Sequence, residues 1–250
     1  MTDLFKGNAK RIEMSRYIDL DIYHAVEKTH PFYMEMIGEI HNNIESLTSR
    51  CKEAALLELG AGTGLLTEEL IRHKNLIIDA LDVDHPICEI LEKHVGSKIR
   101  KVLCEDAVTF CNKEPYDLVV STFAHDHINF EQGPRFIANI RKNLKKGGHY
   151  IMGGEILPHF SDEKQRQEAL YTYHGYIVNK ALRERHFLLA QIEINALQSG
   201  LDLIGDFKRH EEMFEKEMLS ANFKLKKKMK MGPLDLNNVG GVFVYVYEAL

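Results

Sequence analysis

Long hydrophobic runs are the first feature that the sequence lacks. No stretch approaches the roughly 18 consecutive apolar residues that a membrane-spanning helix needs. The first fifteen residues, MTDLFKGNAKRIEMS, also lack the apolar centre of a secretory signal peptide. We therefore predict a soluble, cytoplasmic protein that has no membrane partner.

The sequence also has little cysteine and no excess of basic charge. Its four cysteines, Cys51, Cys88, Cys104 and Cys111, form no C-x-x-C pair, and their spacing indicates neither a zinc site nor a disulfide framework. Reduced thiols are the simpler interpretation for a cytosolic protein. The formal net charge of −5 argues against nucleic acid as the main partner, because non-specific binding to phosphates usually needs a clear basic surplus.

What the sequence does contain is a regular alternation of short apolar stretches and helical patterns from residue 54 onward. This alternation is typical of a parallel sheet covered on both faces. The predicted strands are residues 54–59, 76–81, 99–103, 116–121 and 149–153, with helices over 64–73, 85–95 and 132–144. A helix over 209–221 precedes two last strands, 223–231 and 242–248, which we predict to pair antiparallel at the sheet edge.

Two helical segments lie outside this alternation. Residues 9–48 form a helical pattern that breaks at His30-Pro31, and residues 161–198 form a long helical pattern without proline. In the second segment Leu170, Tyr173 and Ile177 share one face, which predicts that Tyr173 packs in a core.

A glycine-rich turn, ELGAGTG over residues 58–64, follows the first predicted strand. A strand, a glycine turn and a helix form a nucleotide-binding unit, but the third glycine comes one position too early for the dinucleotide pattern G-x-G-x-x-G. Glu58 would repel a pyrophosphate by roughly 4 kcal/mol at about 4 Å and an effective dielectric near 20. The same carboxylate would attract a sulfonium group, so the turn favours S-adenosylmethionine over NAD.

Acidic residues also end the next two predicted strands. Asp82 stands 20 residues after Gly62, where a carboxylate can accept hydrogen bonds from ribose hydroxyls, and Asp84 is the alternative partner. Asp106 follows the third strand, where it can accept a hydrogen bond from an adenine amino group. In open α/β sheets, ligands bind at these carboxyl ends of the strands.

Taken together, the motifs resemble those of class I S-adenosylmethionine-dependent methyltransferases. The matching pieces are ELGAGTG (58–64), ALDVD (80–84), CEDA (104–107), YDLVVSTFAHDHI (116–128) and LKKGGHYIMGGE (144–155), in the order and spacing of that family. The resemblance implies an α/β fold with a Rossmann-like, seven-stranded, mostly parallel sheet whose last strand is antiparallel. Helices would cover both faces, and a helical cap would be added.

The resemblance also implies which residues contact the cofactor and how the chain is divided. The implied cofactor contacts are Glu58, Gly60, Ala61, Gly62, Gly64, Asp82, Val83, Asp106, Ala107 and, from the fourth strand, Ser121 or Thr122. Residues 1–48 would form an N-terminal helical lid, 49–157 and 201–250 the core, and 158–200 a helical insertion that forms the acceptor pocket. By analogy, such caps are typical of members that act in metabolism and natural-product biosynthesis.

The acceptor site is predicted from residues near the end of the fourth strand, in the insertion and near the N-terminus. His125 and His127 are candidate general bases, with His174 as a third, because the ordinary pKa of histidine lies near 6.5. Either His125 or His127 could instead cap the next helix or pack on the cofactor. The candidate acceptor contacts are Tyr17, Tyr23, His24, Glu155, Tyr171 and His174. His125, His127 and Glu155 lack the further ligands of a zinc site, so no metal is expected.

We thus predict transfer of a methyl group to a nitrogen or oxygen atom of a small molecule by in-line displacement. The sequence contains neither the Asn/Asp-Pro-Pro-Tyr/Phe motif nor the Pro-Cys nucleophile of DNA methyltransferases. The lysines at 224, 226, 228 and 230 alternate with apolar residues, which favours a charged edge strand over a nucleic-acid contact. The alternatives are a methyltransferase acting on a protein or tRNA, and a cofactor-binding regulator; a homodimer is left open.

Overall fold

The computed structural model describes Ser15 and residues 19–250. Its centre is one seven-stranded sheet in the order β3-β2-β1-β4-β5-β7-β6. The strands are β1 (Ala54–Leu59), β2 (Leu76–Asp82), β3 (Lys101–Cys104), β4 (Tyr116–Thr122), β5 (Leu144–Ile156), β6 (Phe223–Gly232) and β7 (Gly241–Ala249). Strands β1 to β5 pair in parallel, and β7 runs antiparallel to both β5 and β6. The predicted Rossmann-like fold is confirmed.

Eight helices surround the sheet in the described part of the chain. They are α1 (Leu20–Glu27), α2 (Tyr33–Thr48), α3 (Leu65–Leu70), α4 (His85–Val95), α5 (Gly133–Asn143), α6 (Glu163–Arg183), α7 (Phe187–Asp202) and α8 (Glu211–Ser220). One apolar core lies between the sheet and α5 and α8, and a second lies between the sheet and α2 and α3. Helices therefore cover both faces, as expected for parallel strands.

Helix α2 belongs to the covering of the sheet. Met36, Ile40 and Ile44 of this helix are fully buried against sheet residues such as Val120 and Ile151. The predicted lid over residues 1–48 therefore includes a helix that belongs to the core. The apolar face of α2 is removed from water by packing against the sheet. Of that segment, α1 is the helix that touches the insertion, through Val26 against Leu189 and Ala190.

The predicted insertion contains two helices, α6 and α7, which break at residues 184–186. Arg185 adopts a left-handed conformation with φ 63° at this break. Buried Arg166 on α6 donates a 2.7 Å hydrogen bond to the carbonyl oxygen of Gly200 on α7, which holds the pair together. Tyr173 packs in their core, as predicted. We call α1, α6 and α7 the helical cap.

Strand β5 is longer than predicted. It begins at Leu144, which pairs with Tyr116 of β4, and it runs on to Ile156, which pairs with Gly241 of β7. The sequence predicted a helix up to Leu144 because Lys145-Lys146-Gly147-Gly148 resembles a helix C-terminus. The extension matters for function, because it places Glu155 beneath the cap.

The strict alternation predicted for β6 is interrupted. Register shifts lie between Leu225 and Lys227 and between Lys230 and Gly232. Between the two shifts, Lys227 pairs with Glu39 of α2 and Lys228 with Glu211 of α8, because successive side chains of a strand point to opposite faces of the sheet. Bulges of this kind are common at exposed sheet edges. None of the helices among the described residues is long and apolar enough to cross a membrane.

Candidate cofactor and acceptor site

The turn between β1 and α3 needs glycine at each of its three glycine positions. Gly60, Gly62 and Gly64 have φ values of 64°, 54° and 95°, which side-chain-bearing residues rarely adopt. A Cβ atom on Gly60 would lie 2.6 Å from the Cβ of Ala124, and one on Gly64 would lie 2.9 Å from Leu91. The turn thus brings bare backbone to the carboxyl end of the sheet, as the sequence predicted.

A cavity of about 270 Å³ opens beside this turn. It lies at the carboxyl ends of β1, β2 and β4, and we call it the cofactor cavity. Seven of the predicted cofactor contacts line it: Gly60, Gly62, Asp82, Val83, Asp106, Ala107 and Thr122. Its other walls include Ile87, Ile128 and Phe136, so an aromatic base would meet apolar side chains and a ribose would meet carboxylates.

The acidic residues of the cofactor cavity are fixed by hydrogen bonds. Asp82 accepts from the backbone N–H groups of Gly62, at 2.9 Å, and Asp84, at 3.0 Å. Asp84 also lines the cavity and accepts from the backbone N–H and Oγ of Ser15, at 2.7 and 2.8 Å. Asp106 accepts from the backbone N–H of Val108 at 2.8 Å. These bonds hold oxygen acceptors at the places where ribose and adenine are expected.

Glu58 does not line the cofactor cavity. Its side chain is buried beneath the glycine turn, where its Oε2 accepts a 2.7 Å hydrogen bond from Thr67. Burial, with a smaller contribution from the charge of Asp82, raises the pKa of Glu58 to about 8 against the opposing effect of the hydrogen bond from Thr67. The expected direct contact between this carboxylate and the ligand is therefore not found, and its influence would be exerted through the turn.

Three other predicted cofactor contacts also lie away from the cofactor cavity. Gly64 packs against Leu91, and buried Ser121 shares a 2.8 Å hydrogen bond with the hydroxyl of Tyr150. Ala61 borders a smaller cavity of about 40 Å³ on the other side of the turn. Of the two alternatives for β4, Thr122 is the one that reaches the cavity, because side chains alternate along a strand.

A second cavity of about 90 Å³ adjoins the first beneath the helical cap. Tyr23, Phe123 and His127 line both cavities and so mark the junction between them. Phe123 has φ 49°, and its ring stands edge-on to that of His30 at 5.2 Å. Any group transferred from a ligand in one cavity to a ligand in the other would pass these three side chains.

Charged side chains dominate the lining of the second cavity. Five carboxylates face three side chains that can carry positive charge; the acids are Glu27, Asp126, Glu155, Glu193 and Asp206, and the bases are His30, His127 and Lys208. Burial raises the pKa of Glu27 to about 7 and that of Asp126 to about 8. Oδ2 of Asp126 has no hydrogen-bond partner among the described residues. The cavity therefore has a surplus of negative charge.

Glu155 and Glu193 are held by hydrogen bonds from the cap. Tyr173 donates to Glu155 at 2.6 Å, and His174 donates to Glu193 at 2.9 Å. Lys208 lies 3.0 Å from Glu155 and also pairs with Asp206. Burial opposes the ionisation of both glutamates, but Lys208 holds the pKa of Glu155 well below its ordinary value, and His174 with His30 lowers that of Glu193 to about 2.

Among the predicted acceptor residues, the structure brings Tyr23, Glu155 and His127 to the second cavity. His127 donates from Nδ1 to the carbonyl oxygen of Gly205 at 2.6 Å, which leaves the lone pair of a neutral ring on Nε2. His174 is fully buried behind Glu193 and lines none of the three cavities described above. It can orient Glu193 but cannot touch an acceptor.

The structure does not bring His125, Tyr171 or His24 to either cavity. His125 is buried between Phe136 and Phe214 and bonds Glu217 at 2.8 Å, so it is enclosed in the core and cannot serve as the base. Tyr171 is 56% exposed on the outer face of α6. His24 shares a 2.9 Å hydrogen bond with Thr63. Tyr17 lies outside the described residues.

Sequence reasoning did not find most of the charged cluster. The sequence analysis assigns no role to Glu27, His30, Glu193 or Lys208. It also assigns none to Asp126, although its neighbours His125 and His127 are candidate bases. One signal was available, since Glu193 stands between Ile192 and Ile194 on α7. A carboxylate on an otherwise apolar stretch often has a buried partner.

Comparison with known proteins agrees with this geometry. A family model described as a methyltransferase domain matches residues 56–148. An uncharacterized methyltransferase from a Geobacillus species is 27% identical over 142 residues, or 55% of this chain, and the chain spans only 64% of that relative. A polyamine aminopropyltransferase from Yersinia pestis is 24% identical over 227 residues, which cover 77% of this chain and 73% of that protein.

The fold is also found in solved structures. A structure from Leishmania major, described as a S-adenosylmethionine-dependent methyltransferase, superposes with a TM-score of 0.59 and 16% identity. The superposition covers 91% of this chain and 73% of that one.

Proposed function

We propose that the chain acts as a class I S-adenosylmethionine-dependent methyltransferase on the nitrogen of a small amine held in the second cavity. The matched methyltransferase domain supports this reaction, and the fold agrees with it. The observation that carries the proposal is the surplus of buried carboxylates around that cavity. A cavity of about 90 Å³ with an acidic lining also disfavours the alternatives of a protein or tRNA acceptor, which would need an open, basic channel.

The residues of the cofactor cavity fit S-adenosylmethionine. Asp82 and Asp84 offer carboxylate oxygens to the ribose hydroxyls, Asp106 offers one to the adenine amino group, and Gly60 and Gly62 leave room for close approach to backbone. The cofactor supplies an electrophilic methyl group on a positively charged sulfur. The protein has to align the acceptor with that group and exclude water, and alignment alone can contribute effective molarities of about 10⁵ M or more.

An ammonium group would be stabilised by the acidic lining. Glu27 and Asp126 are buried, and their raised pKa values show that each is only partly ionised at neutral pH without a cationic partner. A bound ammonium group would restore their ionised forms and satisfy the free oxygen of Asp126. A neutral phenol or a carboxylic acid would gain nothing comparable from this lining.

Nitrogen must lose a proton before it can attack the methyl group. His127 is the side chain that we assign to this step, because it lies at the junction of the two cavities and its Nε2 is free to accept a proton. Such proton transfer typically contributes about 10²–10⁴-fold to the rate. Tyr23 and Phe123, which line the same junction, would shield the reacting atoms from water.

The experiment is a methyl-transfer assay with a panel of small amines, phenols and carboxylic acids, read as S-adenosylhomocysteine formation by mass spectrometry. We expect amines to be the preferred acceptors. Asp126→Asn should raise KM for the amine about tenfold, the loss expected for a charged hydrogen bond. His127→Asn should instead lower kcat by about 10²-fold or more. Asp126→Asn, which lies outside the cofactor cavity, should bind S-adenosylhomocysteine like the parent in calorimetry.

Preferred methylation of phenols or carboxylic acids, or an unchanged KM in Asp126→Asn, would contradict the amine assignment. Binding of S-adenosylhomocysteine without turnover of any acceptor would favour the other alternative predicted from the sequence, a cofactor-binding regulator.

The match to a polyamine aminopropyltransferase over 77% of the chain favours one further candidate, transfer of an aminopropyl group to an amine. An assay that supplies decarboxylated S-adenosylmethionine separates it, because the acceptor then gains an aminopropyl group and the leaving group is methylthioadenosine instead of S-adenosylhomocysteine.

A further inference from the structure

His30, Glu155 and Glu193 come together from three distant parts of the chain at the wall of the second cavity. We propose that these three side chains form a binding site for a divalent transition-metal ion of the zinc or manganese class. The proposal does not depend on whether the acceptor is an amine, because it concerns how the cavity is built and not what is methylated in it.

The spacing of the three ligand atoms fits coordination. Nε2 of His30 lies 3.2 Å from Oε1 of Glu155 and 3.5 Å from Oε1 of Glu193, and all three groups offer ligand atoms within 4.8 Å of one another. Bonds of about 2.1 Å at tetrahedral or octahedral angles place neighbouring ligand atoms roughly 3.0–3.4 Å apart. The observed separations are close to that range.

The nitrogen of the His30 imidazole that faces the two glutamates is Nε2. His30 is 5% exposed, and in the part of the chain that the structure describes its Nε2 has no partner with hydrogen-bond geometry. Its Nδ1 donates a 3.0 Å hydrogen bond to the carbonyl oxygen of Pro31. Such a bond on the far side of the ring fixes the orientation and tautomer that present the Nε2 lone pair to a metal ion.

Both glutamates are oriented by neighbours in a similar way. The second oxygen of Glu193 accepts from His174, and the second oxygen of Glu155 lies 3.0 Å from the ammonium group of Lys208. Outer partners of this kind are typical of metal-binding carboxylates. His174 is thus a positioning residue. Its role in orienting Glu193 accounts for its complete burial behind that side chain.

One nitrogen and two carboxylate oxygens form a ligand set suited to zinc or manganese rather than to a soft metal. Three protein ligands leave at least one coordination position, as in sites where a metal binds water or substrate. All three ligands line the second cavity, so that open position faces the space where the acceptor is expected. An ion held there could coordinate an oxygen or nitrogen atom of the acceptor and orient it.

The rival explanation is a proton on His30 that forms ion pairs with the two glutamates and leaves no role for a metal. A second rival is binding at what we call the exposed cluster, in which exposed His159 and Glu212 lie beside buried His210 and the ligand atoms are also within 4.8 Å of one another. The experiment has to separate the cavity from both.

The test starts from the full chain after treatment with a chelator and measures binding of Zn²⁺ and of Mn²⁺ by calorimetry. We expect one tight ion per chain. His30→Gln and Glu193→Gln should each weaken it at least 100-fold, and His174→Gln, which leaves the ligands in place, should weaken it about 10- to 100-fold. The matched control, His159→Ala, should leave the tight site unchanged. Thermal unfolding of each variant checks that it remains folded.

X-ray absorption spectra of the zinc-loaded protein add a readout that is independent of folding. We expect a first coordination sphere of nitrogen and oxygen atoms with one histidine, and loss of the histidine signal in His30→Gln. Absence of tight binding to the wild-type chain would overturn the proposal in favour of the protonated His30. Binding that is lost in His159→Ala and kept in His30→Gln would overturn it in favour of the exposed cluster.

Discussion

At the scale of single residues, Glu58 shows how strongly the fold changes the chemistry of one side chain. The carboxyl group lies 1% exposed beneath the glycine turn, and burial raises its pKa to about 8 from an ordinary value near 4.5. A sulfonium group bound above the turn would favour the ionised form, whereas a pyrophosphate would favour the neutral form. That Glu58 selects a cationic ligand therefore stays a prediction. Its carboxylate would act on the ligand electrostatically across the glycine turn and not by direct contact.

Glu58→Gln should remove a pH dependence of stability. Because the pKa is raised in the folded state, the contribution of Glu58 is fully present below about pH 4.5 and is lost as the pH rises through about 8. Relative to Glu58→Gln, the wild type should lose on the order of a few kcal/mol of unfolding free energy over that range. Urea denaturation at several pH values measures this difference.

A suitable control is Glu89→Gln, which changes an exposed glutamate on α4. It should leave the pH dependence of the wild type intact. If Glu58→Gln and the wild type keep the same difference in stability between pH 5 and pH 9, the carboxyl group is not buried as described.

At the scale of elements, a buried polar cluster joins the end of β4 to α8. His125 bonds Glu217 at 2.8 Å, and the guanidinium group of Arg209 donates to the carbonyl oxygen of His125 at 3.2 Å and lies 3.3 Å from Glu217. These contacts hold the turn that carries His127 against the core. His125 and His127 are two residues apart, yet one anchors the turn and the other faces the cavities.

His125→Asn should therefore lower stability and spare the chemistry. We expect a loss of about 1–3 kcal/mol in unfolding free energy, because the buried carboxylate of Glu217 loses a partner. The pH profile of kcat should keep its shape, whereas His127→Asn should change it. A pH profile altered only in His125→Asn would show that the base had been assigned to the wrong histidine.

The elements themselves were largely predictable from the sequence, since strands, glycine turn and carboxylates follow one another locally. Asp82 and Asp106 could be placed because Asp82 ends β2 and Asp106 follows the end of β3 by two residues, in a parallel sheet. The errors arose where tertiary contacts decide: β5 extends to Ile156 because β7 pairs with it, and α2 packs on the sheet. His125 was misjudged because the sequence does not show that α8 encloses it.

At the scale of the whole molecule, two cavities meet under a cap built from segments far apart in the sequence. Glu27, Asp126, Glu155, Glu193 and Lys208 lie on different elements, and their approach depends on how α1, α6 and α7 close over the sheet. Apart from Glu193 between its two isoleucines, no local sequence pattern indicates such a cluster, which is why the acceptor site was predicted less well than the cofactor site. The arrangement places an acidic cavity beside one that fits a nucleoside.

The most direct test of this account is a crystal structure of the chain with S-adenosylhomocysteine and a small amine substrate. The account predicts the ribose at Asp82 or Asp84, the sulfur atom at the junction formed by Tyr23, Phe123 and His127, and the amine nitrogen facing that sulfur from the second cavity. A nucleoside bound elsewhere, or a sulfur atom directed away from the acidic cavity, would contradict it.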